Sequence, residues 1–107
     1  MYLLRRVYKV KPGSKRKVAE IASKMGQLYH EAGHRSECRV YSSGNTVPGP
    51  LNTVYMDWIQ DDIKRPGRPE NKIPEGMSAL NTELNQHVEE SAIEFYELYV
   101  PPRRPTA

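Results

Sequence analysis

The spacing of apolar residues along the chain switches repeatedly between two periods, and each switch marks an element. Residues 2–10, YLLRRVYKV, mix leucine, aromatic and β-branched side chains and stop at the breaker Lys11-Pro12-Gly13, which predicts a strand. Val18, Ile21, Ala22, Met25, Leu28, Tyr29 and Ala32 then recur at helical spacing and predict an amphipathic helix over 15–32. Ser14 precedes it, where a hydroxyl can accept from the free amides of the first turn. Gly33 follows it, where a left-handed residue commonly ends a helix. Alternation over 35–43, with Cys38 and Val40 on one face and Tyr41 on the other, predicts a second strand, and NTVYMDWIQ, 52–60, a third. GNTVPGPL between them is turn chemistry, so these two strands should pair as a hairpin. Residues 61–73 are charged, proline-bearing and aperiodic, and predict an exposed loop. Met77, Leu80, Leu84 and Val88 predict a second helix over 75–91, and AIEFYELYV, 92–100, a fourth strand.

The order βαββαβ predicts an α+β domain of ferredoxin-like type: an antiparallel four-stranded sheet with both helices on one face. It should occupy residues 1–100 as a single unit, with the proline-rich 101–107 as a flexible tail. Helices on one face should leave the other polar where it meets water. The strands disagree. Leu4, Tyr8 and Val10 oppose Leu3 and Val7; Val54, Met56 and Trp58 oppose Tyr55 and Ile59; Ile93, Phe95 and Tyr99 oppose Tyr96, Leu98 and Val100. Such a patch exceeds what soluble monomers normally leave wet. A second copy packed sheet to sheet is the simplest cover, which predicts a homodimer through the sheet face and a barrel-like α+β assembly. The alternative is that the 61–73 loop and the tail fold over the open face.

Composition adds little beyond boundaries. The chain has 107 residues, one cysteine and a net charge of +3 from 16 basic and 13 acidic side chains, too mild a bias to argue for nucleic acid. No run approaches the roughly 20 apolar residues of a membrane span, so no membrane partner is expected. The lone Cys38 and the lack of a leader-like start make a cytoplasmic setting the expectation.

The most conspicuous motif is His30-Glu31-Ala32-Gly33-His34, a literal match to the H-E-x-x-H zinc signature. On a helical wheel His30 falls about 130° from the centre of the apolar stripe and His34 about 170°, both toward solvent. Gly33 should end the helix before His34, and a zinc site needs the motif inside a continuing helix with a third ligand. Two exposed histidines at a helix end are the better reading, with no metal and no cofactor implied. Lys15-Arg16-Lys17, at a helix start, reads as a solvated face. No serine sits in G-x-S-x-G, and Cys38 reads as a small core residue.

The remaining candidates are polar groups set into apolar strand faces. Arg6 stands between Leu4 and Tyr8, Asn52 opens the face of Val54, Met56 and Trp58, and Asp57 sits between Tyr55 and Ile59. A buried arginine or carboxylate must be paired or face a wet cavity. One outcome is an arginine–carboxylate pair in a dimer core, or snorkelling to an edge. The other is a small cavity, between helices and sheet or inside a barrel. There Arg6, Tyr8, Asn52, Tyr55, Asp57 and Trp58 would orient a small apolar or aromatic ligand.

Arg6-Val7-Tyr8 followed by Lys11-Pro12-Gly13 resembles the R-x-Y…K-P-G opening of NIPSNAP-like domains. Gly49-Pro50-Leu51-Asn52-Thr53-Val54, then Trp58 and Asp61-Asp62, resembles that family's G-x-L-N-x-V…W-x-x-D hairpin. The resemblance implies a dimeric α+β barrel, in agreement with the two-faced strands. Its relatives by fold include cofactor-independent oxygenases, haem-degrading enzymes and small-molecule binding proteins, a link of fold alone. Met56 stands where the family often has a histidine, which removes a proton-transfer group from that position. Residues 61–73 are richer in proline than the family's short helix there. Three readings stay open: a small-ligand-binding protein; a cofactor-independent oxygenase or related enzyme on an aromatic or polyketide-like molecule, with tyrosines and Asp57 handling protons; and a structural or interaction protein without a ligand.

Overall fold

The computed structural model describes residues 1–33, 35–44, 46–61 and 74–99. The elements run β1 (Tyr2–Val10), α1 (Lys15–Glu31), β2 (Arg39–Ser43), β3 (Thr53–Gln60), α2 (Met77–Asn85) and β4 (Val88–Glu97). The strands form one antiparallel sheet in the order β2-β3-β1-β4, the ferredoxin-like arrangement. The predicted β2–β3 hairpin is present. The bulk of the expected 61–73 loop, His34 of the H-E-x-x-H match and the expected tail lie outside the described residues.

Register assigns the faces. Leu4 opposes Trp58, Arg6 opposes Met56 and Tyr8 opposes Val54, so these six share one face. Against them pack Val18, Ile21, Ala22 and Met25 of α1 and Met77 and Leu84 of α2, all buried. Each such side chain contributes roughly 1.5–3 kcal/mol of burial. Gly26 lets α1 approach closely: a β-carbon there would lie 2.7 Å from Cys38 Cβ and 3.2 Å from Met56 Sδ.

Three expectations are corrected. The second helix ends at Asn85 rather than near 91, and β4 begins at Val88. The step from Leu84 to Val88 fits a helix, yet short-range bonds tighten the last turn, Gln86 N–H to Glu83 O and His87 N–H to Leu84 O. Lys11 N–H then bonds to His87 O and draws the chain onto β1. The second strand is confined to Arg39–Ser43; ahead of it Arg35 O meets His30 Nδ1 at the helix end and Ser36 Oγ, not its backbone, accepts from Ile59 N–H of β3. Ser14 does not cap α1 with its hydroxyl; Oγ lies 3.1 Å from His87 Nδ1 and ties the helix start to the α2–β4 turn.

The open face differs in texture from the expectation of a plainly apolar surface. Leu3, Val7 and Ile59 are there, but Arg5, Arg39, Asp57 and Glu94 interleave with Tyr41, Tyr55 and Tyr96. Apolar exposure also occurs on the helix side of edge strand β4, where Ile93 and Phe95 are 38% and 49% exposed because the helices cover β1 and β3 instead.

Candidate functional site

Between the helices and the sheet lies a cavity of about 150 Å³. β1 contributes Arg6 and Tyr8, β3 contributes Met56, and α1 contributes Met25 and Tyr29. Leu84 and Val88 add apolar wall, while the exposed Asn81, Asn85 and Ser91 rim the outside. The remaining lining residue is Arg35, from the irregular segment after α1.

Arg35 is held by the way α1 stops. Ala32 N–H bonds to Leu28 O and Gly33 N–H to His30 O, with Gly33 at φ 78°, a backbone geometry that glycine adopts freely. His30 Nδ1 then lies 2.9 Å from Arg35 O. So His30 braces a loop, and the helix ends at Glu31 before the second histidine of the H-E-x-x-H match. The Arg35 guanidinium carbon sits 3.8 Å from the ring centres of both Tyr29 and Trp58. That sandwich fixes the guanidinium plane and supplies cation–π attraction on both faces. Its Nη1 is buried without an acceptor, and so is Trp58 Nε1.

Electrostatically the cavity is one-sided. None of its described lining residues is acidic. Neither Arg6 nor Arg35 forms an ion pair among the described residues. Burial pulls the Arg35 pKa down, and the neighbouring Arg6 charge adds to the effect, yet a guanidinium stays protonated at neutral pH. Burial pushes the Tyr8 phenol above its ordinary 10.0, partly offset by Arg6 and Arg35, so Tyr8 is an O–H donor at neutral pH. Cys38 is likewise raised by burial and countered by Arg35, which keeps it a thiol rather than a nucleophilic thiolate.

The six sequence candidates are divided between two faces and a turn. Arg6 and Tyr8 line the cavity, and Trp58 backs it through Arg35. Asn52 lies in the turn before β3 at φ 50°, where its carbonyl accepts from Val10 N–H at 2.8 Å. Tyr55 and Asp57 are on the opposite side of the sheet. There Asp57, only 4% exposed, accepts from Arg39 Nε at 2.9 Å and from Tyr41 O–H at 2.6 Å. A carboxylate so committed is an anchor for its neighbours rather than a proton acceptor for a ligand in the cavity. Tyr55 stacks on Tyr41 with centroids 5.2 Å apart, and Arg5 lies over its ring.

Sequence reasoning missed Arg35, Tyr29 and the asparagines of α2. Tyr29 reads as one more stripe residue, and Arg35 lies in a segment with no period to assign it a side. A signal existed in Asn81 and Asn85, four residues apart and so on one helix face, beside the apolar stripe.

No family model matches the chain, and no curated protein matches it in sequence. Solved structures do match in shape. An uncharacterized NIPSNAP domain protein from Burkholderia xenovorans superposes with a TM-score of 0.60 at 17% identity, covering 99% of this chain and 100% of that one. An antibiotic biosynthesis monooxygenase gives 0.61 at 13%, covering 94% and 100%. A dimeric protein of unknown function with a ferredoxin-like fold, from Bacteroides fragilis, gives 0.55 at 16%, covering 91% and 96%. The likeness is one of fold. It agrees with the resemblance carried by the β1 and hairpin residues, and at these identities it transfers no chemistry.

Proposed function

We propose that this chain is a small-ligand-binding protein of the dimeric α+β barrel type, with the ligand seated between the helix layer and the sheet. The observation that carries the reading is the cavity floored by Arg6 and Tyr8 and walled by Tyr29 and Arg35, with Trp58 stacked behind Arg35. Polar side chains converging on a hollow with some apolar wall are a common form of small-molecule site, and here the polar groups supply most of the lining. Size narrows the class. About 150 Å³ is comparable to a cavity that accepts a single aromatic ring and well below the roughly 300–1,000 Å³ of drug-sized sites. A multi-ring polyketide is too large for it.

The open sheet face would pack against a second copy; a neighbour of this fold from Bacteroides fragilis is dimeric. Sedimentation at micromolar concentration should show a dimer, and Val7→Glu, in the middle of that face, should shift it to monomer. A wild-type chain that stays monomeric and folded would remove the barrel. No helix among the described residues is long and apolar enough to cross a membrane, and the proposed setting is the cytoplasm.

A second reading is a cofactor-independent oxygenase on a one-ring substrate. It is favoured by the monooxygenase neighbour together with two tyrosines, Tyr8 and Tyr29, on the cavity wall. Oxygen uptake with a simple hydroquinone, lost in Tyr8→Phe, would support it. A complex with a bound molecule in the cavity and no oxygen uptake leaves the binding reading alone.

A further inference from the structure

The cavity's charge is unusual for this chain. Three of the arginines have carboxylate partners: Arg5 with Glu94 at 2.6 Å, Arg39 with Asp57 at 2.9 Å and Arg16 with Glu20 at 3.7 Å. Acidic residues are therefore plentiful enough to satisfy cations where structure alone is at stake. At the cavity two guanidiniums line one hollow with no carboxylate between them among the described residues. Like charges brought together in a partly desolvated site raise each other's free energy.

We infer that the cavity's ligand is a small organic acid, its carboxylate taken by Arg6 and Arg35 and its body by the apolar wall of Met25, Met56 and Leu84. The inference rests on the binding reading above and specifies its substrate class. Hydrogen-bonding capacity points the same way. Arg6, Arg35 and the Tyr8 phenol all donate, Arg35 Nη1 is buried with no acceptor, and Tyr8, 3% exposed, has no hydrogen-bond partner among the described residues. A hollow whose main polar groups donate is completed by an acceptor-only group, and a carboxylate offers about four lone-pair positions in one plane. Guanidinium forks match that plane. The Tyr29–Trp58 sandwich holds Arg35 before any ligand arrives, which reduces the ordering entropy lost on binding.

The test compares acids with their uncharged isosteres on the whole chain. Calorimetric titrations use benzoate and butanoate against benzamide and butanamide, with inorganic phosphate as a further anion. At least one acid should bind about tenfold or more tighter than its amide, a gap of about 1.4 kcal/mol. Arg35→Gln should close that gap, and Arg6→Gln should do so independently if the Arg35 variant does not fold. Amides binding as well as acids would leave the cavity a binding site and overturn its preference for acids. Phosphate binding as tightly as the better acid would overturn the organic body. A gap that survives in both variants would overturn the arginines' role. No binding by any probe would sink both the acid inference and the site.

Discussion

Arg5 and Arg6 are neighbours in β1 and live in opposite worlds. Alternation sends Arg5 to the open face, where its Nε donates to Glu94 at 2.7 Å and its guanidinium lies over the rings of Tyr55 and Tyr96. The same alternation sends Arg6 under the helices, to a cavity with no acid among its described lining residues. Across the sheet the contrast repeats, with Arg39 gripping Asp57 on the open side and Arg35 stacked without a carboxylate partner among the described residues on the covered side. Charges that serve the fold carry their counter-ions with them. Charges left without one in a hollow oppose stability.

The comparison first requires that the covered face be tightly packed apart from the cavity. Gly26→Val tests this with the largest expected effect. Its side chain would enter a space where even a β-carbon lies 2.7 Å from Cys38 Cβ, so overpacking should cost about 2–3 kcal/mol in urea unfolding. Gly26→Ala should lose less, because alanine recovers up to ~1 kcal/mol of helix propensity. A valine variant as stable as wild type would mean that α1 rides loosely on the sheet. The open face is next. Asp57→Ala removes the acceptor shared by Arg39 and Tyr41 and should cost about 1–2 kcal/mol, at the low end for charged hydrogen bonds because Arg39 is largely exposed. A double-mutant cycle with Tyr41→Phe should show coupling; additivity would mean that the 2.6 Å bond has no energetic role.

How much of this division can be read from the sequence follows from period. Two-residue alternation groups Leu4, Arg6 and Tyr8 on one face of their strand and Tyr55, Asp57 and Ile59 on one face of theirs, so the sheet and its hairpin are legible. Which face lines the cavity is not, because only the register between strands and the side taken by the helices decide it. The end of α2 is not, because Val88 satisfies both a helical and a strand spacing and only pairing with β1 decides between them. Nor is Arg35 legible, since irregular backbone has no period and its place depends on two rings, Tyr29 and Trp58, from separate elements. Asn52 misleads for a related reason: its number in the strand pattern is right, but at φ 50° it turns the chain instead of extending it.

Arg6→Met sharpens the contrast in the other direction. Methionine keeps the unbranched stem and its packing while removing a charge that has no ion-pair partner among the described residues. Without ligand, the variant should be as stable as wild type or up to ~1 kcal/mol more stable, since replacing a half-buried, poorly compensated charge by an apolar group is often neutral or favourable. The equivalent change on the open face, Arg5→Met, should lower stability by breaking its contacts with Glu94, Tyr55 and Tyr96. Thermal melts of the two variants side by side decide the matter. A loss for Arg6→Met as large as that for Arg5→Met would show both arginines to be structural.

The smallest effect concerns pH. Hydrogen bonds from Tyr96 and Arg5 hold the Glu94 carboxyl below its ordinary 4.5. A carboxyl depressed in the folded state stabilises above its unfolded pKa, and that contribution disappears as pH falls through the folded value. Wild type should therefore weaken in acid below about pH 4.5, and Glu94→Gln should flatten that limb because glutamine does not titrate. The effect is modest, since the Glu94 side chain is 38% exposed and solvent screens it. Tyr8 works at the other end. Burial raises its phenol above 10.0, so the folded state keeps a proton that the unfolded chain has shed, and its contribution vanishes as alkaline pH passes the folded value. Tyr8→Phe should flatten the alkaline limb and leave the acid limb untouched. Melting curves across both limbs would thus assign the acid sensitivity of the sheet to its open face. If Glu94→Gln changed nothing below pH 4.5, the Arg5–Glu94–Tyr96 cluster would carry no charge-dependent stability, and the paired face would differ from the unpaired one in geometry alone.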